Sequence, residues 1–404
     1  MNMAFTLNTM QAIASEKFRH WYKHPEDRER PWFEISGPAG SGKTTVVKHI
    51  IQELGLSDSE VVFMAFVGKA ALALRLSGVN GRTIHSVIYQ ISKKYKRDEN
   101  DKIVYLHGKP VLETKFEKLE ALPLGIKLLV VDEGGMVDSN IGSDILSFRI
   151  PTLVLGDLHQ LPPVFGTSLF LQKPDVILNE IMRQHKDSAI IYLSQLAMHG
   201  VPIPYGKYNN GECRVMRREN LTDDMLREFD LIICNTNRTR DTINWYIRKN
   251  IYGIDSNSIV IGDKLICRQN CWDILLDDPS IDIDIALVNG MIGNVTSINR
   301  NTKNGSGKLM IDFKPEFSNV CFEDVPVNPS YILSEYEYRK ATNPRFSPDV
   351  TFELGYCSTC HLAQGSQYPN ILVYIDSALG DSDYSRKWLY TAITRAQKSL
   401  TIAA

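Results

Sequence analysis

The sequence has 404 residues, 43% of them apolar and 23% charged, with a formal net charge of −2. That length suits two to four domains, each large enough to bury its own core, and the near-neutral balance neither signals nor excludes a nucleic-acid partner. The longest apolar runs, at 128–131 and 371–375, are far too short to span a bilayer, so no membrane segment is expected.

Residues 1–18 are interrupted by Asn8, Thr9, Gln11 and Ser15 and lack the apolar core of a secretory signal, which points to a cytoplasm. The first elements follow at once. Residues 32–36 read as a strand, 44–54 as a helix, and 61–67, 127–131 and 152–155 as further strands; a second set comes from 231–234, 371–375 and 399–402. Strands alternating with helices predict doubly wound α/β lobes, present twice. Two insertions interrupt them. One, at 87–119, carries the basic and aromatic cluster Lys93, Lys94, Tyr95, Lys96 and Arg97. There, 103–106 and 111–113 flank the turn formers His107, Gly108, Lys109 and Pro110, the pattern of a projecting β-hairpin. The other, at 262–350, is rich in Asn, Asp, Gly and Ser with short alternating strands and reads as a small all-β unit. The expected division is 1–86, 87–119, 120–174, 175–261, 262–350 and 351–404.

Gly37-Pro38-Ala39-Gly40-Ser41-Gly42-Lys43-Thr44 has the P-loop pattern, after a strand and opening a helix. Its glycines let backbone N–H groups wrap phosphates, Lys43 reaches the outer phosphates, and Thr44 holds Mg²⁺, with Thr45 completing the nucleotide-binding run. ATP and Mg²⁺ are therefore the expected ligands. The apolar strand at 128–131 runs into Asp132 and Glu133: the first suits Mg²⁺, the second can polarise an attacking water. A third strand delivers Gly156-Asp157-Leu158-His159-Gln160-Leu161-Pro162-Pro163-Val164, where Gln160 can sense the terminal phosphate.

From this point the sequence resembles the superfamily 1B helicases of the RecD and Dda type over most of its length. The resemblance rests on the strings above together with Gly68-Lys69-Ala70-Ala71, Thr83-Ile84-His85-Ser86, Met182-Arg183-Gln184, Gly262-Asp263-Lys264, Asn289-Gly290-Met291-Ile292-Gly293-Asn294-Val295, Thr359-Cys360-His361-Leu362-Ala363-Gln364-Gly365-Ser366 and Tyr390-Thr391-Ala392-Ile393-Thr394-Arg395-Ala396, all in the family's order. It implies two RecA-like lobes, a duplex-splitting hairpin with Tyr105 or His107 near its tip, and an SH3-like second insertion. It also implies an ATP-dependent DNA helicase moving 5′ to 3′ on single strands, with Arg183 and Arg395 as arginine fingers. By the same resemblance Gln11 reads adenine, its rival role being a helix-capping box with Asn8. Lys69, Thr83, His85, Pro163, Thr359 and His361 line a strand groove. The implied partners are single-stranded DNA and forked duplex, a single-strand-binding or replication protein is a candidate partner, and the chain is expected to act as a monomer. If phage-encoded, it would work in the host cytoplasm.

Three positions depart from the family pattern: Gly134-Gly135 stands where a small residue and Ser are usual, Leu362 where Lys is usual, and Gln367 where Glu is common. The alternatives in view are an RNA helicase or protein-displacing translocase of the same fold, and a non-catalytic strand-binding scaffold that keeps ATP as a structural ligand. Cys357-Ser358-Thr359-Cys360-His361 has the spacing of covalent haem attachment, but it is continuous with the helicase-like string and lacks an export signal, so it is read as packed thiols, like Cys267 and Cys271.

Overall fold

The structure is a computed structural model. It describes residues 7–95, 102–103, 105–106, 109–110, 112–163, 166–180, 188–256, 258–278, 285–301, 308–327, 349–376 and 382–404. Arg183, His107, Lys96 and Arg97 lie outside the described residues.

The first lobe begins with helix α1 (Thr9–Lys23), whose start is fixed by a reciprocal capping box between Asn8 and Gln11. Its strands are β1 (Trp32–Ser36), β2 (Val61–Ala65) and β3 (Gly81–Thr83), then β8 (Leu128–Asp132), β9 (Thr152–Gly156) and β10 (Val176–Ile177). Between β3 and β8 come the ribbon strands β4 (Tyr89–Tyr95), β5 (Tyr105–Leu106), β6 (Lys109–Pro110) and β7 (Leu112–Lys118). The sheet order is β10-β1-β9-β8-β2-β3, all parallel. Parallel strands are covered on both faces, so β8 reads Leu-Leu-Val-Val without alternation and is buried along that run. Helices α2 (Lys43–Leu54), α3 (Gly68–Leu76), α4 (Ile84–Ile88) and α5 (Ser139–Leu146) flank it. One apolar cluster with Phe18, Ile35 and Val47 fills one face, and another with Met64, Ile88 and Ile145 fills the other.

The second lobe repeats the plan. It contributes α6 (Ala189–His199) and the strands β11 (Gly206–Tyr208), β12 (Cys213–Met216) and β13 (Leu231–Cys234). An all-β insertion follows, with β14 (Lys264–Cys267), β15 (Cys271–Leu276), β16 (Ile285–Leu287), β17 (Ile292–Asn301), β18 (Lys308–Pro315), β19 (Phe322–Val327) and β20 (Phe352–Leu354). The lobe closes with β21 (Cys357–Thr359), β22 (Tyr368–Tyr374) and β23 (Ala396–Ala403), giving the order β11-β12-β23-β22-β13-β21. Only the edge strand β11 runs antiparallel among these. The insertion forms an antiparallel sheet, β19-β18-β17-β14-β20, around Phe313, Phe322 and Phe352.

The fold is thus α/β with two RecA-like lobes, a β-ribbon in the first and an all-β insertion in the second. Three details differ from the sequence reading. The first sheet runs past 174, because Val176–Ile177 pairs with β1. The second insertion runs past 350, because Phe352–Leu354 pairs with β14. The ribbon is longer than the segments 103–106 and 111–113: Tyr89–Tyr95 pairs with Leu112–Lys118 in unbroken register. No described helix is long and apolar enough to cross a membrane.

Candidate active site

In a parallel sheet the ligand-binding loops gather at the carboxyl ends of the strands, and the first lobe places its polar strings there. After β1 the loop turns through Gly40 (φ 82°) and Gly42 (φ 80°), left-handed positions that a side chain would strain. Gly37 is also required for space: a Cβ would lie 2.7 Å from Ser41 Oγ and 2.9 Å from Leu178 O. Lys43, the first residue of α2, folds back so that Nζ donates to Gly37 O (2.6 Å) and Pro38 O (3.0 Å). Thr44 and Thr45 follow on the same turn, part-buried. Ser41 is fully buried, and its Oγ has no hydrogen-bond partner among the described residues. Gln11 is equally buried: Oε1 accepts from Asn8 N (3.1 Å) and Nε2 donates to Ser41 O (3.1 Å). The capping role and contact with the P-loop therefore coexist in one side chain.

Asp132 ends β8, and Glu133 follows with a left-handed backbone (φ 52°) that turns its side chain out of the strand direction. Both are part-buried at the surface of the cleft, yet their carboxylates are poorly hydrated. Burial pushes the Asp132 carboxyl up, with Lys43 and the Glu133 N–H pulling it back. Burial and then the Asp132 charge push Glu133 up, opposed by Arg395 and Lys43. After β9, Gln160 is buried with Oε1 unpaired among the described residues. The site is tight beneath it: a Cβ on Gly156 would come within 2.2 Å of Leu171 Cδ1, and one on Gly134 within 2.3 Å of Val154 Cγ1.

This donor set fits a nucleotide with a divalent cation. A cradle of left-handed glycines, a buried unpaired hydroxyl, a buried unpaired amide oxygen and two under-hydrated carboxylates gather at the carboxyl ends of the neighbouring strands β1, β9 and β8. Such groups are costly to bury without partners, and phosphate oxygens and a cation are the partners they lack.

The second lobe faces this loop. Arg395 is 2% exposed and held by three hydrogen bonds: Nε to Thr391 O (3.0 Å), Nη1 to Ser366 O (3.3 Å) and Nη2 to Thr394 Oγ1 (3.1 Å). Its charge acts on Glu133 across the cleft. From the same segment Tyr390 donates to Asp157 Oδ2 (2.7 Å), with its ring 5.8 Å from that of His159. Thr391 Oγ1 accepts from Leu161 N (2.9 Å), and Gln364 Nε2 donates to Leu161 O (3.3 Å). A cavity of about 230 Å³ between the lobes is bounded by Pro38, Ala39, Ser194, Tyr390, Thr394 and Lys398. Sequence reasoning assigns no role to Tyr390, Thr391 or Asp157; their place inside the family-like strings is the signal that points to them.

The six groove residues occupy four settings. Lys69 opens α3 against the second lobe, with Nζ 4.7 Å from the Tyr368 ring centroid and donating to the Tyr368 hydroxyl. Burial lowers its pKa to about 8, Glu316 opposing and Lys264 adding to the fall. Thr83 is 3% exposed and caps α4, its Oγ1 accepting from Ser86 N (3.3 Å). His85 sits among Phe66, Tyr89 and Phe116, at centroid distances of 6.3, 5.3 and 5.4 Å, and burial lowers its pKa against the pull of Asp138. Pro163 is part-buried beyond Gln160. Thr359 ends β21, and His361 lies 6.4 Å from the Tyr384 ring, its pKa also lowered by burial. Cys357 and Cys360 are free, buried thiols: Cys357 Sγ is 3.6 Å from Cys234 Sγ, and Cys360 Sγ is 3.6 Å from Trp388 O.

Two nucleotide-type lobes, a P-loop with its carboxylates on one and a buried arginine facing it from the other, define a two-lobed P-loop NTPase. Residues 23–210 match the family described as AAA domain, and residues 354–403 match the UvrD-like helicase C-terminal domain. The chain is 26% identical over 290 residues to the ATP-dependent DNA helicase dda of Enterobacteria phage T4, covering 64% of this chain and 61% of that one. It is 24% identical over 399 residues to the ATP-dependent RecD2 DNA helicase of Deinococcus radiodurans, covering 90% of this chain and 45% of that one. Among solved structures, the Pif1 helicase from Bacteroides in complex with ADP-AlF3 and ssDNA superposes with a TM-score of 0.54 at 18% identity, covering 99% of this chain and 93% of the other. Over most of its length the chain is thus similar to ATP-dependent DNA helicases, and it shares the fold of the Pif1 structure. It spans less than two thirds of the length of the curated relatives it matches.

Proposed function

We propose that this chain is an ATP-driven motor that moves 5′ to 3′ along single-stranded DNA and opens duplex ahead of it. The observation that carries this reading is the cross-lobe arrangement of Arg395 and Glu133, in which a guanidinium anchored in the second lobe acts on the carboxylate beside the P-loop of the first. A site divided in this way changes shape with its contents, which is what a motor requires.

In this reading the backbone of Gly37, Pro38, Ala39, Gly40, Ser41 and Gly42, with Lys43 and Thr45, holds the phosphates, and Gln11 lies at the adenine end. Thr44 and Asp132 hold Mg²⁺, which supplies charge neutralisation on the phosphates. Glu133 orients the attacking water and accepts its proton; its raised pKa brings the carboxyl closer to working pH. Gln160 reports the terminal phosphate, while Arg395 and Arg183 neutralise charge on the transferring group. Lys69, Thr83, His85, Pro163, Thr359 and His361 track the strand, with binding that weakens as salt rises. DNA is favoured over RNA by the two helicase relatives, both named for DNA, and by the single-stranded DNA bound to the Bacteroides Pif1 helicase.

Forked substrates with a 5′ or a 3′ tail, in DNA and in RNA, test the proposal. Opening of DNA forks that carry a 5′ tail, dependent on ATP and abolished in Lys43→Ala, is expected. Opening from 3′ tails would reverse the polarity, and hydrolysis indifferent to added single strands would remove the motor.

A further inference from the structure

The β-ribbon of the first lobe leaves the body of the protein through one cross-strand pair, Tyr89 opposite Lys118. Both members of that pair reach the same helix. Tyr89 donates its hydroxyl proton to Asp144 Oδ2 (2.5 Å), and Lys118 Nζ lies 3.6 Å from Asp144 Oδ1. Lys118 also donates to Ser147 Oγ (2.9 Å), which in turn donates to Asp144 O (2.7 Å). Hydrogen bonds to a carboxylate are short and directional, so Asp144 fixes the angle at which the ribbon leaves the lobe and not merely its attachment. Burial, the hydrogen bond to Asp144 and the Asp144 charge all push the Tyr89 phenol up, in keeping with its role as the donor in this pair.

The opposite end of α5 begins at the nucleotide site. Asp132 and Glu133 lead through the tight turn Gly134–Met136 to Asp138, which caps α5 by accepting from Asn140 N (2.8 Å) and Ile141 N (3.1 Å). The helix is also clamped to the segment that follows the Gln160 loop. Ser139 N donates to Thr167 O (3.0 Å), Asp138 forms a bridge with Ser168, and Gly142 is pressed so close to Leu169 that a Cβ would meet its Cδ2 at 2.8 Å. A short helix capped and packed this closely has little room to deform. These contacts give the carboxylate loop and the segment after β9 a continuous packed route to Asp144.

We propose that Asp144 is a positioning residue that joins the nucleotide loops to the ribbon, so that changes at Asp132, Glu133 and Gln160 set the ribbon's angle toward the duplex. The inference rests on the helicase reading above. It separates two activities that share one motor: movement along a single strand needs the lobes, whereas opening duplex also needs the ribbon held at the correct angle.

The test uses the full chain as wild type, Asp144→Asn, Asp144→Glu, Tyr89→Phe and Lys118→Gln. Three quantities are measured: strand-stimulated ATP hydrolysis, movement along single-stranded DNA, and base pairs opened per ATP on a 5′-tailed fork. Asp144→Asn and Tyr89→Phe are expected to keep hydrolysis and movement within about twofold and to lose roughly tenfold in base pairs opened per ATP. Asp144→Glu restores a carboxylate and is expected to recover part of that loss. Unchanged opening per ATP in both variants overturns the joint, as does a parallel fall of all three quantities with the melting temperature, which is the mark of a purely structural bond. Lys118→Gln, at an exposed position, keeps the measurement valid should Asp144→Asn fail to fold. A wild-type chain without strand-stimulated hydrolysis would remove the helicase reading itself, and the joint with it.

Discussion

Beside the P-loop, burial pushes both Asp132 and Glu133 up, the Asp132 charge pushes Glu133 further, and the charges set against them, Lys43 for both and Arg395 for Glu133, are already occupied with backbone carbonyls. At the junction of the second lobe with its insertion, Arg248 and Asp263 are buried more deeply, at 0% exposure each, yet each guanidinium nitrogen has an acceptor. Arg248 grips Asp263 through two bonds (2.7 and 3.0 Å) and donates to Ser256 O and Ser258 O, while Asp263 also accepts from Val260 N. Burial depth alone therefore does not mark a working site. Incomplete compensation does: the junction charges are satisfied by their own neighbours and hold two units together, and the cleft carboxylates remain to be completed from outside.

The contrast can be broken at three points. Arg395→Ala removes the charge that crosses the cleft and is expected to lower the hydrolysis rate by about 10³-fold or more, with binding of the nucleotide changed much less. Steady-state rates set against nucleotide affinity decide it; loss of binding without loss of rate would assign Arg395 to the cradle. Glu133→Gln is expected to cost about 10²- to 10⁴-fold in rate while raising thermal stability. The sign follows from the raised pKa. A carboxyl raised in the folded state disfavours folding as pH climbs through that value, and both states hold the proton below the ordinary 4.5, so the gain from Gln is greatest near neutrality and vanishes in acid. Melting curves from pH 4 to pH 8 are the check, and a variant less stable than wild type at neutral pH contradicts it. Asp263→Ala should do the reverse, destabilising the fold by about 3–5 kcal/mol because it strands a buried guanidinium, while leaving the rate per folded molecule nearly intact. Denaturant unfolding with rates corrected for the folded fraction separates the two.

Much of this was legible in the residues. β8 and β13 are unbroken apolar runs, which a strand covered on both faces requires, and the P-loop string carries its turn chemistry in its glycines. The missed pieces share a cause. Val176–Ile177 is a two-residue edge strand, too short for any periodicity to show. Phe352–Leu354 and Cys357–Thr359 are separated by two residues, and nothing local tells which of two sheets each will join. The ribbon strand Tyr89–Tyr95 reads Tyr-Gln-Ile-Ser-Lys-Lys-Tyr, polar enough to pass for loop until its partner is known. The contacts that close the cleft lie farthest from sequence logic: Tyr390 and Asp157 are 233 residues apart, and Lys69 and Tyr368 are 299 apart. Burial of Lys69 against the other lobe could not be read from a motif that fits a solvent-facing lysine equally well.

The left-handed backbone at Glu133 places function and foldability in direct competition at one codon. An L-residue with a side chain is held there at a cost of roughly 1–2 kcal/mol that glycine escapes, and glycine would also dispose of an ill-hydrated charge. A library of this chain selected for heat resistance alone would therefore drift toward glycine at position 133 and accumulate sturdy, inert molecules; only selection for turnover keeps the glutamate.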